Sequence, residues 1–249
     1  MTNPTSNQLT GQFLRFKSYL LLALVLLGVL AVWRFASRVE ENMRNELLVQ
    51  AQLVTSSINT ERIITLTGTE ADLGTPDYLR RKEMLASVRA ANPKYRFVYL
   101  IGRRLDGTVY FLADSEPAGS KDESPAGQIY HDIPPEFLSV FETGKGSVEG
   151  PATDRWGTWV TALTPLVHPE TGSLIAVLCM DVDARDWRAK VAERAALPVG
   201  LILMVIALAV FFVILRQRTV NLRISEQKYR YLFERSEEHT SELQSRQVI

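Results

Sequence analysis

Charged and aromatic side chains occur together at the ends of three predicted strands. Arg155 and Trp156 begin one strand, Asp114 ends another, and Asp181 lies near the end of a third. A guanidinium can donate two parallel hydrogen bonds to a carboxylate, and aromatic faces attract cations. A carboxylate in turn accepts hydrogen bonds from an ammonium group. These residue types indicate binding of a small carboxylate or zwitterion.

Alternation along a strand places every second side chain on the same face. On one predicted strand Trp159 and Thr161 share a face, and on another Tyr110, Leu112 and Asp114 share one. A pocket walled by these strands would contact its ligand through seven candidate residues: Tyr110, Asp114, Arg155, Trp156, Trp159, Thr161 and Asp181.

Each candidate also has a purely structural explanation. Trp156 and Trp159 are compatible with a hydrophobic core. Asp154 and Arg155 are compatible with a surface ion pair, which contributes little to stability. The acids that end the third strand, Asp181 among them, could cap the following helix. Taken singly, each residue favours structure, and only their convergence favours a ligand site.

The elements that must position these residues form an α+β succession with one antiparallel sheet. Asp106-Gly107 is typical of a tight hairpin turn, and residues 115–128, rich in Ser, Pro, Gly and acids, are typical of a long lid loop. Periodicity predicts helices over 37–59, 77–91, 135–143 and 184–194, and strands over 95–101, 108–114, 147–149, 156–167 and 174–183.

Two apolar runs flank this succession. Residues 195–215 contain no charged side chain, and a helix of that length spans roughly 31 Å, the thickness of a bilayer's hydrocarbon core. Residues 16–36 form the second run, with Tyr19 and Trp33 near its ends. A buried helix and a cleaved signal peptide are the alternatives. The presence of a second apolar run argues against a buried helix at residues 195–215. The lack of a small-x-small cleavage site after residues 16–36 argues against a signal peptide there.

Composition excludes several classes of function. The formal net charge is zero, which argues against a nucleic-acid partner. Cys179 is the only cysteine, so an intrachain disulfide framework is ruled out. The three histidines lack metal-ligand neighbours, and no nucleophile and base stand together. We therefore expect no metal, no cofactor and no catalytic site in this chain.

Three segments resemble the extracytoplasmic Cache (PAS-like, PDC) sensor domains of bacterial transmembrane receptors. They are 110–116 (YFLADSE), 150–163 (GPATDRWGTWVTAL) and 176–183 (AVLCMDVD), and the resemblance covers 37–192. It implies a PAS-like antiparallel sheet with flanking helices, a small-molecule ligand and a homodimer.

The same resemblance implies roles for individual residues. In ligand-binding Cache domains an arginine–tryptophan pair before one central strand and an acid on the last strand contact the ligand. Arg155, Trp156 and Asp181 match those positions. Trp159 stands where many amino-acid-binding members have a tyrosine nearby, so an amino-acid ligand does not follow from the resemblance.

A second resemblance lies after the second apolar run. Residues 222–234 (LRISEQKYRYLFE) resemble the lead-in and first residues of a cytoplasmic PAS domain. This implies an output domain of the histidine kinase or diguanylate cyclase type beyond it. Residues 235–245 (RSEEHTSELQS) resemble the translation of a sequencing-library adapter, and we expect residues 235–249 to carry no biology.

The sequence thus predicts a sensory receptor of the bacterial inner membrane with its sensor domain in the periplasm. The alternatives are a chemoreceptor-type adaptor without enzymatic output and a membrane-anchored periplasmic binding protein. A bias of Lys and Arg towards both tails favours an orientation with both tails in the cytoplasm and the sensor domain in the periplasm. The predicted organisation is a cytoplasmic tail (1–15), a transmembrane helix (16–36), the sensor domain (37–194), a second transmembrane helix (195–215), a linker with the start of a PAS domain (216–234) and the adapter-like tail (235–249).

Overall fold

The computed structural model describes the backbone of residues 4–246 and the side chains of Tyr19 and of residues 22–233, except Lys228 and Leu232. The ends of the two predicted tails, 1–3 and 247–249, lie outside the described residues. The chain divides into two compact units, and Ala36–Ala195 forms the unit that contains the sheet.

The elements follow the predicted order. The α-helices are α1 (Pro4–Ser57), α2 (Glu61–Ile64), α3 (Pro76–Ala91), α4 (Leu138–Thr143) and α5 (Ala184–Arg246). Short 3-10 helices cover Glu70–Asp72 and Pro135–Phe137. The strands are β1 (Tyr95–Arg103), β2 (Val109–Asp114), β3 (Ser147–Thr153), β4 (Thr158–Val167) and β5 (Leu174–Asp183).

Five antiparallel strands form one sheet in the order β2-β1-β5-β4-β3. The fold class expected from the sequence, α+β with one antiparallel sheet and flanking helices, is therefore confirmed. Strand β3 is longer than the predicted strand 147–149, because its pairing with β4 resumes at Ala152 after an irregularity that follows Glu149.

Local sequence explains where several elements begin and end. The side chain of Thr75 accepts a hydrogen bond from the Tyr78 amide, and Pro76 occupies the first turn of α3, where its missing N–H costs nothing. In the β1–β2 hairpin, Asp106 Oδ1 accepts from the Thr108 amide at 2.9 Å. Gly107 there adopts a φ of 90°, a conformation that favours glycine.

One strand departs from the predicted alternation. Leu100 pairs with Ala113, but Ile101 pairs with Phe111, so Leu112 is an extra residue that forms a bulge in β2. A bulge re-aims the side chains that follow it. The expectation that Tyr110, Leu112 and Asp114 share one face is therefore wrong.

The two faces of the sheet carry different cores. Helices α1 and α3 cover one face, which we call the helix face, and its core includes Leu47, Leu85, Leu100 and Leu178. The other face, which we call the loop face, is covered by the segment after β2 and by α4. Its core is built largely from Tyr99, Phe111, Tyr130, Phe137 and Val140.

Among the described residues, two helical stretches are long and apolar enough to cross a membrane. They are Leu22–Ser57 and Ala184–Tyr231, and almost none of their most apolar portion is buried within the protein. The predicted span and the predicted helix 37–59 thus belong to one continuous helix, α1.

Candidate functional site

A small cavity opens on the loop face between the sheet and the segment that follows β2. Its volume is about 20 Å³, which is room for about one water molecule. Its walls come from β1, β2 and β5, from the segment that follows β2 and from the β3–β4 turn: Phe97, Tyr99, Phe111, Asp114, Ser115, Asp122, Ser124, Tyr130, Asp154, Trp156 and Asp181. An organic ligand larger than water would need the lid loop to move outwards.

Aromatic rings form one side of this cavity. Phe111 lies 4.9 Å from Tyr130 and 5.9 Å from Trp156, measured between ring centroids. Tyr99 lies 5.5 Å from Phe111. We call these four residues the aromatic cage. Several ring faces around one small space are a suitable environment for a cation.

Asp181 supplies a buried carboxylate beside the aromatic cage. Strand register brings it here, because Asp181 pairs with Thr161 on β4 and with Phe97 on β1, and directly paired residues point to the same face. The Thr161 hydroxyl donates to Asp181 Oδ1 at 2.7 Å, and the Tyr99 hydroxyl lies 3.5 Å from the same oxygen. None of the described residues donates a hydrogen bond to Oδ2.

The electrostatic environment of Asp181 is unfavourable to its ionised form. Burial raises the pKa of this carboxyl from 3.8 to about 8, and the nearby charge of Asp154 acts in the same direction, while the hydrogen bond from Thr161 opposes it. No basic side chain is among the described residues that line the cavity. A cationic ligand would therefore supply the positive counter-charge that the surroundings of this carboxylate lack.

Asp154 organises the turn between β3 and β4. Its Oδ1 accepts from the amides of Trp156 and Gly157 and from Trp159 Nε1, at 2.9, 3.1 and 3.0 Å. Its Oδ2 accepts from the Tyr130 hydroxyl at 3.0 Å. Asp154 thus holds two members of the aromatic cage in position, and it makes no ion pair with Arg155 among the described contacts.

The lid loop is tied to α3 and β1 by ion pairs. Lys82 Nζ lies 2.5 Å from Asp114 Oδ1 and 2.9 Å from Glu123 Oε1, and all three side chains are largely buried. Asp114 Oδ2 accepts from the Ser124 amide at 2.6 Å. Burial by itself would lower the pKa of Lys82, but its hydrogen bonds to Asp114 and Glu123 outweigh that effect and raise the pKa.

Two arginines extend this attachment. Arg89 and Arg96 both pair with Glu116, and Arg96 also pairs with Asp122 at 2.7 Å. The segment that covers the cavity is therefore fastened at both Glu116 and Glu123. Ion pairs therefore hold the lid loop over the cavity, and water could solvate the same charged groups if the loop moved away.

Three of the seven predicted residues line the cavity: Asp114, Trp156 and Asp181. Thr161 touches it indirectly through Asp181, and Trp159 lies behind it, bonded to Asp154. The remaining two, Tyr110 and Arg155, do not line it.

Arg155 and Tyr110 have other surroundings. Arg155 is exposed, and its guanidinium stacks on the Trp156 ring at 3.9 Å from the centroid. Tyr110 points to the helix face beside Gly102, where a β-carbon would collide with its ring. The guanidinium of Arg104 lies over the Tyr110 ring at 5.0 Å.

Sequence reasoning missed most of the aromatic cage and the role of Asp154. Alternation in β1 places Phe97 and Tyr99 on one face, and this signal was present in the sequence. The spacing of Asp154 and Gly157 is typical of a turn in which an aspartate accepts backbone hydrogen bonds. Tyr130 follows a long loop, and no local pattern indicated its position.

Metal binding receives no support from the described residues, because they contain no group of three or more His, Cys, Asp or Glu side chains that could hold an ion. Cys179 is completely buried, and burial raises the pKa of its thiol well above the usual value. This agrees with its interpretation as a small buried hydrophobe.

Comparison with known proteins gives structural similarities only. No protein-family model matches the chain, and no curated protein matches it significantly. The ligand-binding domain of the Campylobacter jejuni chemoreceptor Tlp3 in complex with 4-methylisoleucine is similar with a TM-score of 0.42 and 14% identity, over 63% of this chain and 57% of that one. The chain thus spans little more than half the length of that domain.

Two further solved structures are similar at lower scores. The periplasmic domain of RsbU from Chlamydia trachomatis has a TM-score of 0.32 and 16% identity, over 64% of this chain and 56% of that one. A free methionine-R-sulfoxide reductase from Thermoplasma acidophilum has a TM-score of 0.33 and 14% identity, over 50% of this chain and 91% of that one. The similar structures thus include a chemoreceptor domain, a periplasmic domain and an enzyme.

Proposed function

We propose that Ala36–Ala195 is the sensor domain of a membrane receptor and that its loop-face cavity binds a small organic cation, an amine or a quaternary ammonium compound. The observation that carries this proposal is Asp181, a buried carboxylate beside four aromatic rings with one oxygen unbonded. Ammonium binding would neutralise it, and the rings would contact the cation's apolar surface.

The other carboxylates at the cavity support the same assignment. Asp114 is neutralised by Lys82, Asp122 pairs with Arg96, and Asp154 is saturated by four donors. Asp181 alone lacks both a cationic partner and a full set of donors among the described residues. A single positive charge on the ligand therefore satisfies the site.

Three of the candidates that do not line the cavity contact residues that do. Thr161 fixes the rotamer of Asp181, Trp159 helps to hold Asp154, and Arg155 stacks against the outer face of Trp156. Tyr110 packs on the helix face. A ligand carboxylate could reach Arg155 only at the rim of the site, so an amine without a carboxylate fits better than an amino acid.

The two apolar helical stretches support anchoring in a membrane by α1 and α5. We propose that the chain is the extracytoplasmic and membrane part of a bacterial Cache-type receptor in the inner membrane, acting as a homodimer. Binding would favour one of two arrangements of the receptor in proportion to the ligand's differential affinity. The second span would pass the signal to a cytoplasmic output of the histidine kinase or diguanylate cyclase type.

The test uses the full chain in lipid nanodiscs. A panel of methylamine, putrescine, choline, L-isoleucine and acetate is screened by the shift in thermal midpoint, and hits are measured by calorimetry. We expect amines or choline to stabilise the protein, by about 2.7 kcal/mol at a hundredfold excess over Kd, and acetate to have no effect.

Two matched variants decide the role of the carboxylate. Asp181→Asn should abolish the response to the hit, and Asp132→Asn, a change at an exposed aspartate, should leave it unchanged. A response that survives in Asp181→Asn, or a response to acetate alone, would contradict a cation site.

A further inference from the structure

A second and larger cavity lies beside the helix face, between α1 and the first turns of α5. Its volume is about 200 Å³. Its apolar wall consists of Met43 and Leu47 from α1, Val182 from the end of β5 and Trp187 from α5. All of these residues belong to the compact unit Ala36–Ala195. The cavity shares no lining residue with the aromatic cage.

The indole of Trp187 has an unmet hydrogen-bonding requirement. Trp187 is 5% exposed, and its Nε1–H is buried without a hydrogen-bond partner among the described residues. Buried donors almost always have an acceptor, so an exception needs an explanation. Because this nitrogen has almost no accessible surface, an acceptor bound in the neighbouring cavity would reach it only if the indole ring rotated.

Charged side chains of both signs surround the same cavity. Arg194 pairs with Glu46 at 2.8 Å, and Lys190 pairs with Glu193 at 2.8 Å. Lys94 differs from both, because its Nζ donates at 2.6 Å to the neutral amide oxygen of Gln50.

No carboxylate pairs with Lys94 in the described part of the chain. Burial lowers its pKa, Arg194 adds to this effect, and Glu46 opposes it. Asp186 is the other acid that lines the cavity. Glu46 and Glu193 pair with two of the three cations, so among the described residues Lys94 is the lining cation without an ionic partner, and Asp186 is the lining acid without one.

We propose that this cavity binds an amphipathic anion, a molecule with a carboxylate or phosphate head and a short acyl body. The acyl body would contact Met43, Leu47 and Val182. The head would accept a hydrogen bond from Lys94 and, after rotation of the ring, a second one from the indole of Trp187.

The volume suits this class of ligand. An apolar cavity of roughly 150 Å³ takes up benzene, so a cavity of about 200 Å³ holds a body of similar or slightly greater size. The same chemistry could come from a free medium-chain fatty acid or from an anionic phospholipid. Because α1 and α5 both line the cavity, an occupant would fix their separation within this unit.

The first experiment is photolabelling of the full chain in phosphatidylcholine nanodiscs. The probe is octanoate that carries a terminal diazirine, and labelled peptides are mapped by mass spectrometry. We expect labelling on the peptides that contain Met43 to Leu47 and Val182 to Trp187. Unlabelled octanoate should compete at least tenfold better than octanol or octylammonium, which share the body but lack the anionic head. Equal competition by the three compounds would overturn the proposal.

A second arm identifies the source of the ligand. In nanodiscs that contain phosphatidylglycerol, loss of octanoate labelling at these peptides supports the site and assigns it to a phospholipid. Unchanged labelling there supports the site and assigns it to a free fatty acid. Labelling spread over both apolar helical stretches, with no preference for these peptides, would overturn the proposal.

Three variants complete the test. Lys94→Gln removes the charge at a half-exposed position and should reduce labelling at least tenfold with little change in thermal midpoint. Lys145→Gln, at an exposed position elsewhere, is the matched control and should label like the unmodified chain. Val182→Phe fills the cavity and should also reduce labelling. Because Val182→Phe could disturb folding, Lys94→Gln is the variant that decides between presence and absence of the site. If Lys94→Gln is labelled as strongly as the unmodified chain, the site is rejected. The amine response at Asp181 is measured on the same samples and should not change.

Discussion

The two faces of the sheet are built on different physical principles. The core of the helix face is apolar, with Leu47, Leu85, Leu100 and Leu178 at or below 1% exposure under α1 and α3. The loop face combines aromatic rings with carboxylates under a loop held by ion pairs. Close packing contributes stability, whereas buried polar groups cost stability unless they are fully paired. The contrast is consistent with a helix face that stabilises the domain and with our proposal that the loop face binds a ligand.

The largest effect is expected where the lid loop is fastened. Lys82→Met leaves Asp114 and Glu123 buried without their cation, and breaking a buried pair from one side typically costs about 3–5 kcal/mol. We expect a marked fall in the thermal midpoint of the full chain in nanodiscs. Lys121→Met, at an exposed position of the lid loop, is the control and should change the midpoint little. A wild-type midpoint in Lys82→Met would mean that this ion network does not hold the loop.

The helix face should respond strongly to loss of volume. Leu178 is completely buried on it, and Leu→Ala in a close-packed core costs about 2–5 kcal/mol. We expect Leu178→Ala to lower the thermal midpoint while the amine affinity of the folded protein stays the same. Leu105→Ala, at a fully exposed hairpin position, is the control and should leave the thermal midpoint unchanged. A loss of affinity in folded Leu178→Ala would show that the two faces are not independent.

The loop face should show a pH dependence that the helix face lacks. The pKa of Asp181 is raised by burial from 3.8 to about 8, so between these values the folded state holds a proton that the unfolded state releases. The free energy of unfolding without ligand should therefore fall as pH rises from about 4 to about 8, with a limiting slope of about 1.4 kcal/mol per pH unit.

Binding should show the opposite trend to stability. A cationic ligand needs the ionised carboxylate, so its affinity should rise by up to about tenfold per pH unit below pH 8. Asp181→Asn should remove the dependence of stability on pH in this window. Thermal midpoints and calorimetric affinities between pH 5 and 9 measure both trends, and identical pH profiles for Asp181→Asn and the unmodified chain would be incompatible with this assignment.

The smallest effect is expected at the rim of the loop face. Arg155→Ala removes an exposed guanidinium stacked on Trp156, a contact worth about 0.5–1 kcal/mol. We expect a change of that size or less in both the free energy of unfolding and the amine affinity. Arg155→Lys keeps the charge, so its free energy of unfolding and its amine affinity should lie between those of Arg155→Ala and the unmodified chain. A hundredfold loss of affinity in Arg155→Ala would instead make Arg155 a direct ligand contact and favour a carboxylate or zwitterion.

Local sequence determined most of the elements of this protein. The hairpin at Asp106-Gly107, the start of α3 at Pro76 and the alternation in β4 and β5 all depend on residues close in the chain. The α+β class follows from that succession. Alternation also placed Thr161 and Asp181 on strand faces that the sheet then brought together, because their strands contain no irregularity at these residues.

Only the tertiary structure decided the composition of the site. The bulge at Leu112 places Asp114 on the loop face opposite Tyr99, and pairing across strands, not local propensity, sets such a register shift. Asp154 could be assigned only once Tyr130, 24 residues away in sequence, was seen to donate to it. Arg155 is likewise exposed in a turn that Asp154 holds through the amides of Trp156 and Gly157. Contacts between residues distant in sequence decided which charges became partners, and single-strand patterns carry no information about them.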